Sequence, residues 1–234
     1  MSNVVKIYHD LSDVGNHENH IKKIGIFTNM VSSYRVTFVS RGGATVESSD
    51  GVIPLETGML LGANALVLTN HSNVEITDSM DNRFRLKAGS QFCIESTIQG
   101  VRPVLYGNIS VLPSRHVSPI LDQKKYYTSC WCQLVPQVIE CISSTTDCYY
   151  ALDSGLEITE FDEDGARFVI VKLNPYEKCI LQADFSKDMR ERYTVLNVEN
   201  LSTKDINRIY SEYISPICWN KQFFENEDDI EKLG

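Results

Sequence analysis

The chain has 234 residues, of which 42% are hydrophobic and 23% are charged, a composition that excludes disordered, collagen-like and coiled-coil proteins. Its 22 Lys and Arg against 31 Asp and Glu give a formal net charge of −9, which repels phosphate backbones and anionic lipids and argues against nucleic-acid or membrane partners. The seven cysteines, with an N-terminus unlike a secretory signal, favour reduced thiols and a cytoplasmic location.

Residues 1–35 form an N-terminal segment with weak patterns. Residues 14–24 suggest a short helix, and residues 24–28 suggest a strand. His17 and His20 lie three positions apart, whereas the helical zinc motif with a catalytic Glu separates its histidines by four. We interpret these histidines as polar surface, with a shared metal as the alternative.

Short apolar runs, punctuated by turn residues at intervals of about ten, extend from residue 36 to residue 185. This pattern predicts a mainly β fold, a roll or a sandwich. Alternation of apolar and polar residues predicts half-buried strands, because every second side chain then faces a core. Such alternation occurs at residues 74–77, 83–86, 92–95 and 158–161.

The turns between these strands contain residues that tolerate left-handed backbone conformations. Asn82 is the candidate in the turn at residues 79–82, and replacing Gly58 or Gly62 with Val is expected to destabilise tight corners. The glycines predicted to have structural roles are Gly43, Gly51, Gly58, Gly62, Gly107, Gly155 and Gly165.

Two predicted hairpins have similar sequences. Residues 44–55 and 156–171 each contain two apolar runs joined by an Asp-Gly turn, and a Gly precedes the first run of each. This similarity indicates a weak internal repeat.

Residues 43–112 resemble the FecR-like β domain of bacterial anti-sigma regulators. The resemblance lies in GGATVESSDG, VIPLETGMLLGANALVLT and HSNVEITDSMDNRFRLKAGSQFCI, where Thr69, Leu86 and Ser90 occupy the positions that the family pattern expects. Residues 155–181 resemble the closing segment of that family, and residues 115–147 match poorly. Asp81-Asn82 replaces the usual Asp-Gly turn, and the sequence contains no membrane span. The resemblance therefore implies the fold of the family, residues 36–115 being the FecR-like module, without its transmembrane signalling.

Residues 116–185 are predicted to be a second β segment that continues the same body. Four cysteines lie close together in this segment: Cys130, Cys132, Cys141 and Cys148. A Cys-x-Cys pair on a strand points both thiols to one face, so four thiolates could bind zinc, but their spacing matches no zinc knuckle. We interpret them as buried reduced thiols, with no metal or cofactor, and keep a metal or redox site as the alternative.

Aromatic residues are concentrated in the same segment: Tyr126, Tyr127, Trp131, Tyr149 and Tyr150. Core packing is the simpler interpretation. A partner surface is the functional one, since Tyr and Trp are enriched at interface hot spots and sheet edges accept added strands. The acidic residues 162–164 lie in a predicted turn, where solvated charge is the ordinary explanation and calcium binding is the alternative.

Residues 186–234 are predicted to contain a last strand, a helix and an acidic tail. The strand covers residues 193–198. Ser202 and Asp205 have the spacing of a helix-capping pair, and the helix should end before Pro216. Its apolar stripe comprises Ile206, Ile209, Tyr210 and Tyr213. The acidic residues at 225–232 predict a solvated tail.

No phosphate-binding loop and no nucleophile elbow occurs in the sequence, and no catalytic set is evident. We therefore expect a non-catalytic regulatory or scaffolding module that binds another protein or a second copy of itself, for example by strand addition. One alternative is a small-molecule or metal-binding protein, conceivably an enzyme, that uses residues 130–148. The other is an exported effector with an acidic C-terminal signal.

Overall fold

The computed structural model describes residues 22–26, 33–97, 100–114, 130–162 and 165–215. Within these residues, eighteen strands form two nine-stranded sheets, and one short helix follows the last strand. The predicted mainly β fold with a C-terminal helix is confirmed. No helix in the described part of the chain is long and apolar enough to span a membrane.

Sheet A has antiparallel neighbours throughout, except that β1 and β12 are parallel. Its strands, numbered along the chain, lie in the spatial order β16 (Arg167–Leu173), β15 (Leu156–Phe161), β12 (Cys130–Cys132), β1 (Ile24–Ile26), β10 (Gly100–Tyr106), β9 (Gln91–Thr97), β6 (Leu66–Leu68), β3 (Thr45–Ser48) and β4 (Gly51–Pro54).

Sheet B is antiparallel throughout. Its spatial order is β18 (Tyr193–Asn200), β17 (Glu177–Ala183), β14 (Thr146–Ala151), β13 (Gln137–Ser143), β11 (Ile109–Leu112), β8 (Arg83–Leu86), β7 (Val74–Asp78), β2 (Tyr34–Val39) and β5 (Leu60–Leu61). Both sheets therefore include strands from residues 36–115 and from residues 116–185.

The two sheets pack face to face around one large apolar core. Tyr34 and Phe84 of sheet B and Phe92 of sheet A are fully buried at its centre. Their rings meet edge to face, with centroids 5.3 to 6.1 Å apart, an arrangement that aromatic quadrupoles favour. The alternating residues of β7, β8 and β9 supply this core, as their sequence pattern predicts.

The N-terminal segment contributes a central strand to sheet A. β1 lies between β10 and β12, so the predicted strand at residues 24–28 is confirmed for its described part. Of the helix predicted at residues 14–24, residues 14–21 lie outside the described residues, and residue 24 belongs to β1.

Five of the predicted structural glycines have a positive φ: Gly43, Gly51, Gly58, Gly107 and Gly165. Gly62 does not, and a Cβ there would meet no atom within 4 Å, so the expectation that position 62 requires glycine is wrong. A Cβ at Gly155 would lie 3.1 Å from the Leu173 oxygen. In the turn at residues 79–82, Asp81 and not Asn82 takes the left-handed conformation.

The two hairpins with similar sequences lie at opposite ends of sheet A. β3 and β4 form one end, and β15 and β16 form the other. This placement is compatible with an internal repeat, which stays a prediction.

The C-terminal helix α1 (Thr203–Ile209) begins at the predicted capping pair, where Ser202 and Asp205 bond each other's backbone N–H groups. A π-helical turn (Tyr210–Ile214) continues it. Ile209 and Tyr213 are buried, as predicted. Tyr210 is 62% exposed, so the prediction that it belongs to the buried apolar stripe is wrong. The face that contacts sheet B passes through Ile209 and Tyr213, and Tyr210 lies on its solvent side.

Candidate functional site

The predicted aromatic partner surface is not formed by the aromatic residues that the structure describes. Trp131 and Tyr149 are fully buried and Tyr150 is 6% exposed, so none of the three can make a primary contact with a partner. Trp131 packs beside Gly25 on the neighbouring strand, where an added Cβ would approach its ring to 2.6 Å. Tyr126 and Tyr127 lie outside the described residues.

The four clustered cysteines do not converge on one site. Cys130 and Cys132 lie in the core between the sheets, whereas Cys148 belongs to the apolar cluster beneath α1 on the outer face of sheet B. Cys141 lies on β13, the strand next to β14. In the parts of the chain that the structure describes, no three or more His, Cys, Asp or Glu residues form a metal-binding group.

The thiols are also chemically quiet. The six cysteines among the described residues are unpaired thiols, and burial raises the pKa of Cys130 to about 11. A thiol with such a pKa remains protonated near neutral pH and is a poor nucleophile. Of the acidic residues 162–164, Asp162 forms an ion pair with Arg190, at a distance of 2.8 Å. Residues 163 and 164 lie outside the described residues.

A buried ion pair joins the sheets near β12. Lys22 and Asp147 are both almost completely buried, with Nζ 3.2 Å from Oδ2. The ammonium group also donates to the Leu181 oxygen at 3.2 Å and lies 4.9 Å from the ring centre of Tyr149. The Tyr149 hydroxyl is 3.3 Å from the Cys130 sulfur. Asp147, the Leu181 oxygen and the Tyr149 ring all lie within hydrogen-bonding or cation–π distance of the Lys22 ammonium group. We therefore interpret the ion pair as part of the structural core.

A second buried acid lies at the same end of the sandwich. Glu160 is 4% exposed, and burial raises its pKa to about 7, although the Phe161 backbone N–H and the Tyr193 hydroxyl both donate to it. Tyr193 is the first residue of β18, so this hydrogen bond of 2.7 Å links sheet A to the edge of sheet B.

The outer face of sheet B holds the C-terminal helix through one carboxylate. Glu140 accepts two hydrogen bonds from Arg208, at 2.5 and 3.0 Å, and one each from the hydroxyls of Tyr150 and Tyr213. These donors keep the pKa of Glu140 below its usual value despite the opposing effect of burial. Arg85 donates to the carbonyl oxygens of Tyr213 and Ile214 at 3.1 and 2.6 Å and thereby caps the end of the helix.

A shallow cleft of about 190 Å³ lies beside this helix. It crosses β13, β14, β17 and β18, and its lining is Glu140, Ile142, Cys148, Tyr150, Lys178, Cys179, Ile180, Asn197 and Glu199. Lys178 already pairs with Glu199 at 3.0 Å and with Asp205 at 3.2 Å. Typical small-molecule pockets measure about 300–1,000 Å³, so this cleft is small for a ligand site.

The longest exposed strand among the described residues is β18, an edge strand of sheet B. Seven of its eight residues are exposed, including the large apolar side chains of Val195, Leu196 and Val198 at 36%, 54% and 46%. β4, an edge of sheet A, has only four residues and ends at Pro54, which cannot donate a backbone hydrogen bond. The opposite edge of sheet B, β5, has two residues.

Hydrogen bonds at both ends of β18 define which backbone groups face β17. The Asp184 N–H donates to the Arg192 oxygen at 2.8 Å, and the Leu201 N–H donates to the Tyr176 oxygen at 2.7 Å. In an antiparallel pair, residues that exchange backbone hydrogen bonds alternate with residues whose groups point away. The register of the two strands can therefore be counted from both ends.

This count identifies the backbone groups on the open side of sheet B. Tyr193 and Val195 point away from β17 in the first half of the strand, and Val198 and Asn200 do so in the second half. The register shifts between the halves, because Leu181 lies opposite Val195 and Ile180 opposite Asn197. Leu196 is thus an extra residue, which forms a β-bulge.

Comparisons with known proteins identify no relative. No family model matches the chain, and no curated protein or solved structure is significantly similar to it. The resemblance to FecR-like domains therefore stays a prediction.

Sequence reasoning missed several residues that organise these regions. Lys22 lies in a segment with no clear pattern, and Glu140 is a single charge within an apolar run. A charged residue at a strand position that should be buried is a signal for an ion pair, but its partner depends on strand order. The exposed edge could be found only from the sheet topology, since the apolar residues of β18 resemble those of a half-buried strand.

Proposed function

We propose that the chain is a non-catalytic protein-interaction module, regulatory or scaffolding in type, that binds an extended segment of protein by strand addition along β18. The length and exposure of β18 support this proposal most directly. An edge strand displays a row of N–H and C=O groups that a further strand can pair with. Natural edges are usually short, charged or interrupted by proline, and β18 is eight residues long with no Lys or Pro.

The apolar side chains of β18 give this edge a second source of affinity. In strand addition, backbone hydrogen bonds supply affinity and alternate side chains supply specificity. Val195 and Val198 lie opposite Leu181 and Cys179, which face the core, so both valines lie on the inner face of sheet B while remaining 36% and 46% exposed. An added strand would bury them.

The rest of the structure supports an interaction role in the cytoplasm. Burial raises the pKa of the described thiols above their usual value, and the Lys22–Asp147 and Glu140–Arg208 pairs are formed within the chain. The unpaired cysteines among the described residues fit the reducing compartment expected from the sequence.

A selection from a displayed library of random ten-residue peptides tests this proposal. Binders should contain apolar residues that alternate on either side of one extra residue, which matches the bulge at Leu196, and their binding should protect the amides of Tyr193, Val198 and Asn200 from hydrogen exchange. Val198→Pro should abolish binding, since proline removes an outward N–H group without removing a bond to β17.

Val52→Lys is the matched control, because Val52 is 61% exposed on β4, an edge strand of the other sheet. This variant should bind the selected peptides as the parent chain does. The proposal is wrong if no peptide is selected, or if the selected peptides bind a folded Val198→Pro variant equally well.

A further inference from the structure

We propose that the strand accepted by β18 is the β18 of a second copy of this chain, in antiparallel orientation. This inference rests on the proposed function, because it names the partner of the same edge. The two sheets B would then join across a two-fold axis into one continuous sheet. Closed two-fold dimers are the commonest arrangement of soluble oligomers.

The bulge at Leu196 favours an identical strand over a regular one. Outward backbone groups of a regular strand recur every two residues. On β18 they occur at residues 193 and 195 and again at 198 and 200, so one interval spans three residues. A regular strand that pairs with the first half would be out of register with the second half.

A second β18 removes this mismatch. When the strands run antiparallel with Tyr193 opposite Asn200 of the second copy, Val195 lies opposite Val198, and the same pairs recur on the other side of the axis. The outward residues of both strands then follow the same intervals of two, three and two residues, and the extra residue of each bulge lies in the middle interval. The bulge, which protects an edge against most strands, is therefore compatible with its own copy.

The charges at the ends of the strand are complementary in the same arrangement. Arg190 and Arg192 precede β18 on either side of Glu191, which leaves one net positive charge, and Glu199 lies near its end, 50% exposed on its side chain. Antiparallel pairing places the basic end of one copy beside the acidic end of the other. Parallel pairing would instead place like charges together, which is unfavourable. The apolar side chains of Val195, Leu196 and Val198 lie around the centre, where an interface is best protected from water.

Sedimentation velocity of the full chain from 1 to 200 µM tests the dimer. We expect a monomer–dimer equilibrium whose dissociation constant rises at least tenfold in Val198→Pro and in Leu196→Lys, while Val52→Lys leaves it unchanged. Glu199→Arg should also weaken the dimer, and added salt should weaken the parent dimer more than this variant.

Two synthetic peptides separate this inference from the proposed function. One has the sequence of residues 190–201, and the other lacks Leu196. The first should compete with dimer formation at least tenfold more strongly than the second. A chain that stays monomeric at 200 µM but binds selected peptides at β18 would overturn the dimer and leave the proposed function intact.

Other outcomes are equally decisive. A dimer that persists in the folded Val198→Pro and Leu196→Lys variants would place the interface elsewhere and overturn the inference. Equal competition by the two peptides would overturn the role of the bulge in choosing the partner. A monomer that binds no peptide would overturn both the dimer and the proposed function.

Discussion

Two parts of the sandwich interior are held together in different ways. Around Tyr34, Phe84 and Phe92 the sheets meet through apolar side chains, with three aromatic rings in edge-to-face contact at the centre. Near β12 they meet through the ion pair of Lys22 and Asp147, together with a hydrogen-bonded tyrosine. Both parts are fully buried, yet they obey different rules, because apolar contacts are non-directional and buried charges require particular partners.

This difference predicts different responses to substitution. Loss of an aromatic ring removes transfer free energy and leaves a cavity, and its cost depends on how far the neighbours relax. Loss of one charge leaves the other buried and uncompensated, which neighbouring side chains cannot repair by small shifts. The polar part is therefore expected to be the less tolerant of the two.

We expect the largest effect from Asp147→Ala, with a loss of about 3–5 kcal/mol in the free energy of unfolding, because the Lys22 ammonium would lose its counter-ion in the interior. Urea denaturation measures the loss. Combining Lys22→Met with Asp147→Leu should cost less than Asp147→Ala, since no isolated charge then remains. A single variant less than about 1 kcal/mol below the parent, or a double variant that is worse than the single, would contradict this explanation.

Phe92→Ala should cost a similar or slightly smaller amount, about 3–5 kcal/mol, by opening a cavity between the sheets. Phe92→Leu preserves more volume and should cost about 1–2 kcal/mol. The aromatic part thus allows partial compensation by a side chain of similar size. If Leu were as damaging as Ala at this position, the edge-to-face ring contacts and not the volume would dominate.

The pH dependence of stability should reveal the buried carboxyl of Glu160, which lies in the polar part. Burial raises its pKa from 4.5 to about 7, so the folded protein favours the protonated acid. The resulting stability is present below pH 4.5 and is lost as the pH rises through 7, by at most about 3 kcal/mol. Glu160→Gln keeps an acceptor for the Tyr193 hydroxyl without the charge, so it should gain stability over the parent between pH 5 and pH 8.

Glu140→Gln is the matched control of opposite sign. Arg208 and two tyrosine hydroxyls keep the pKa of Glu140 below its usual value, so its contribution is present at neutral pH and is lost as the pH falls through that lowered pKa. The variant should be less stable than the parent at pH 7, and the gap should close in acid. Parallel stability profiles for both variants, measured by urea denaturation from pH 3 to pH 8, would contradict these assignments.

The two parts also differ in how far the sequence predicts them. The alternation in β7, β8 and β9 follows from their half-buried position, so both the strands and their core residues could be predicted. Ser202 and Asp205 likewise defined the helix start, because a capping pair is a local interaction. The pairing of Lys22 with Asp147 depends on the packing of β14 against the segment before β1, which no local pattern encodes.

The candidate site was predictable in kind but not in place. Strand addition was expected, yet the aromatic residues proposed for it are interior, because Trp131 and Tyr149 lie on central strands. Whether a strand is central or at an edge is a property of sheet order. In the sequence, the apolar residues of β18 are indistinguishable from those of a half-buried strand, so only the topology shows that they are exposed.

The smallest expected effect on stability comes from two glycines beside β5, Gly58 and Gly62, for which the sequence predicts the same role. Gly58 has a φ of +97° with nothing within 4 Å of an added Cβ, so Gly58→Ala should cost about 1–2 kcal/mol through backbone strain alone. At Gly62 an added Cβ would also meet open space, but φ lies outside the positive range from +20° to +160° that L-residues rarely adopt. Gly62→Ala should be neutral or stabilise by up to about 1 kcal/mol, because it restricts the unfolded chain. Thermal unfolding of both variants measures the difference in stability. If both variants lost the same stability, residue 62 would be closely packed, as the sequence suggests, and the backbone conformation would not be the deciding factor.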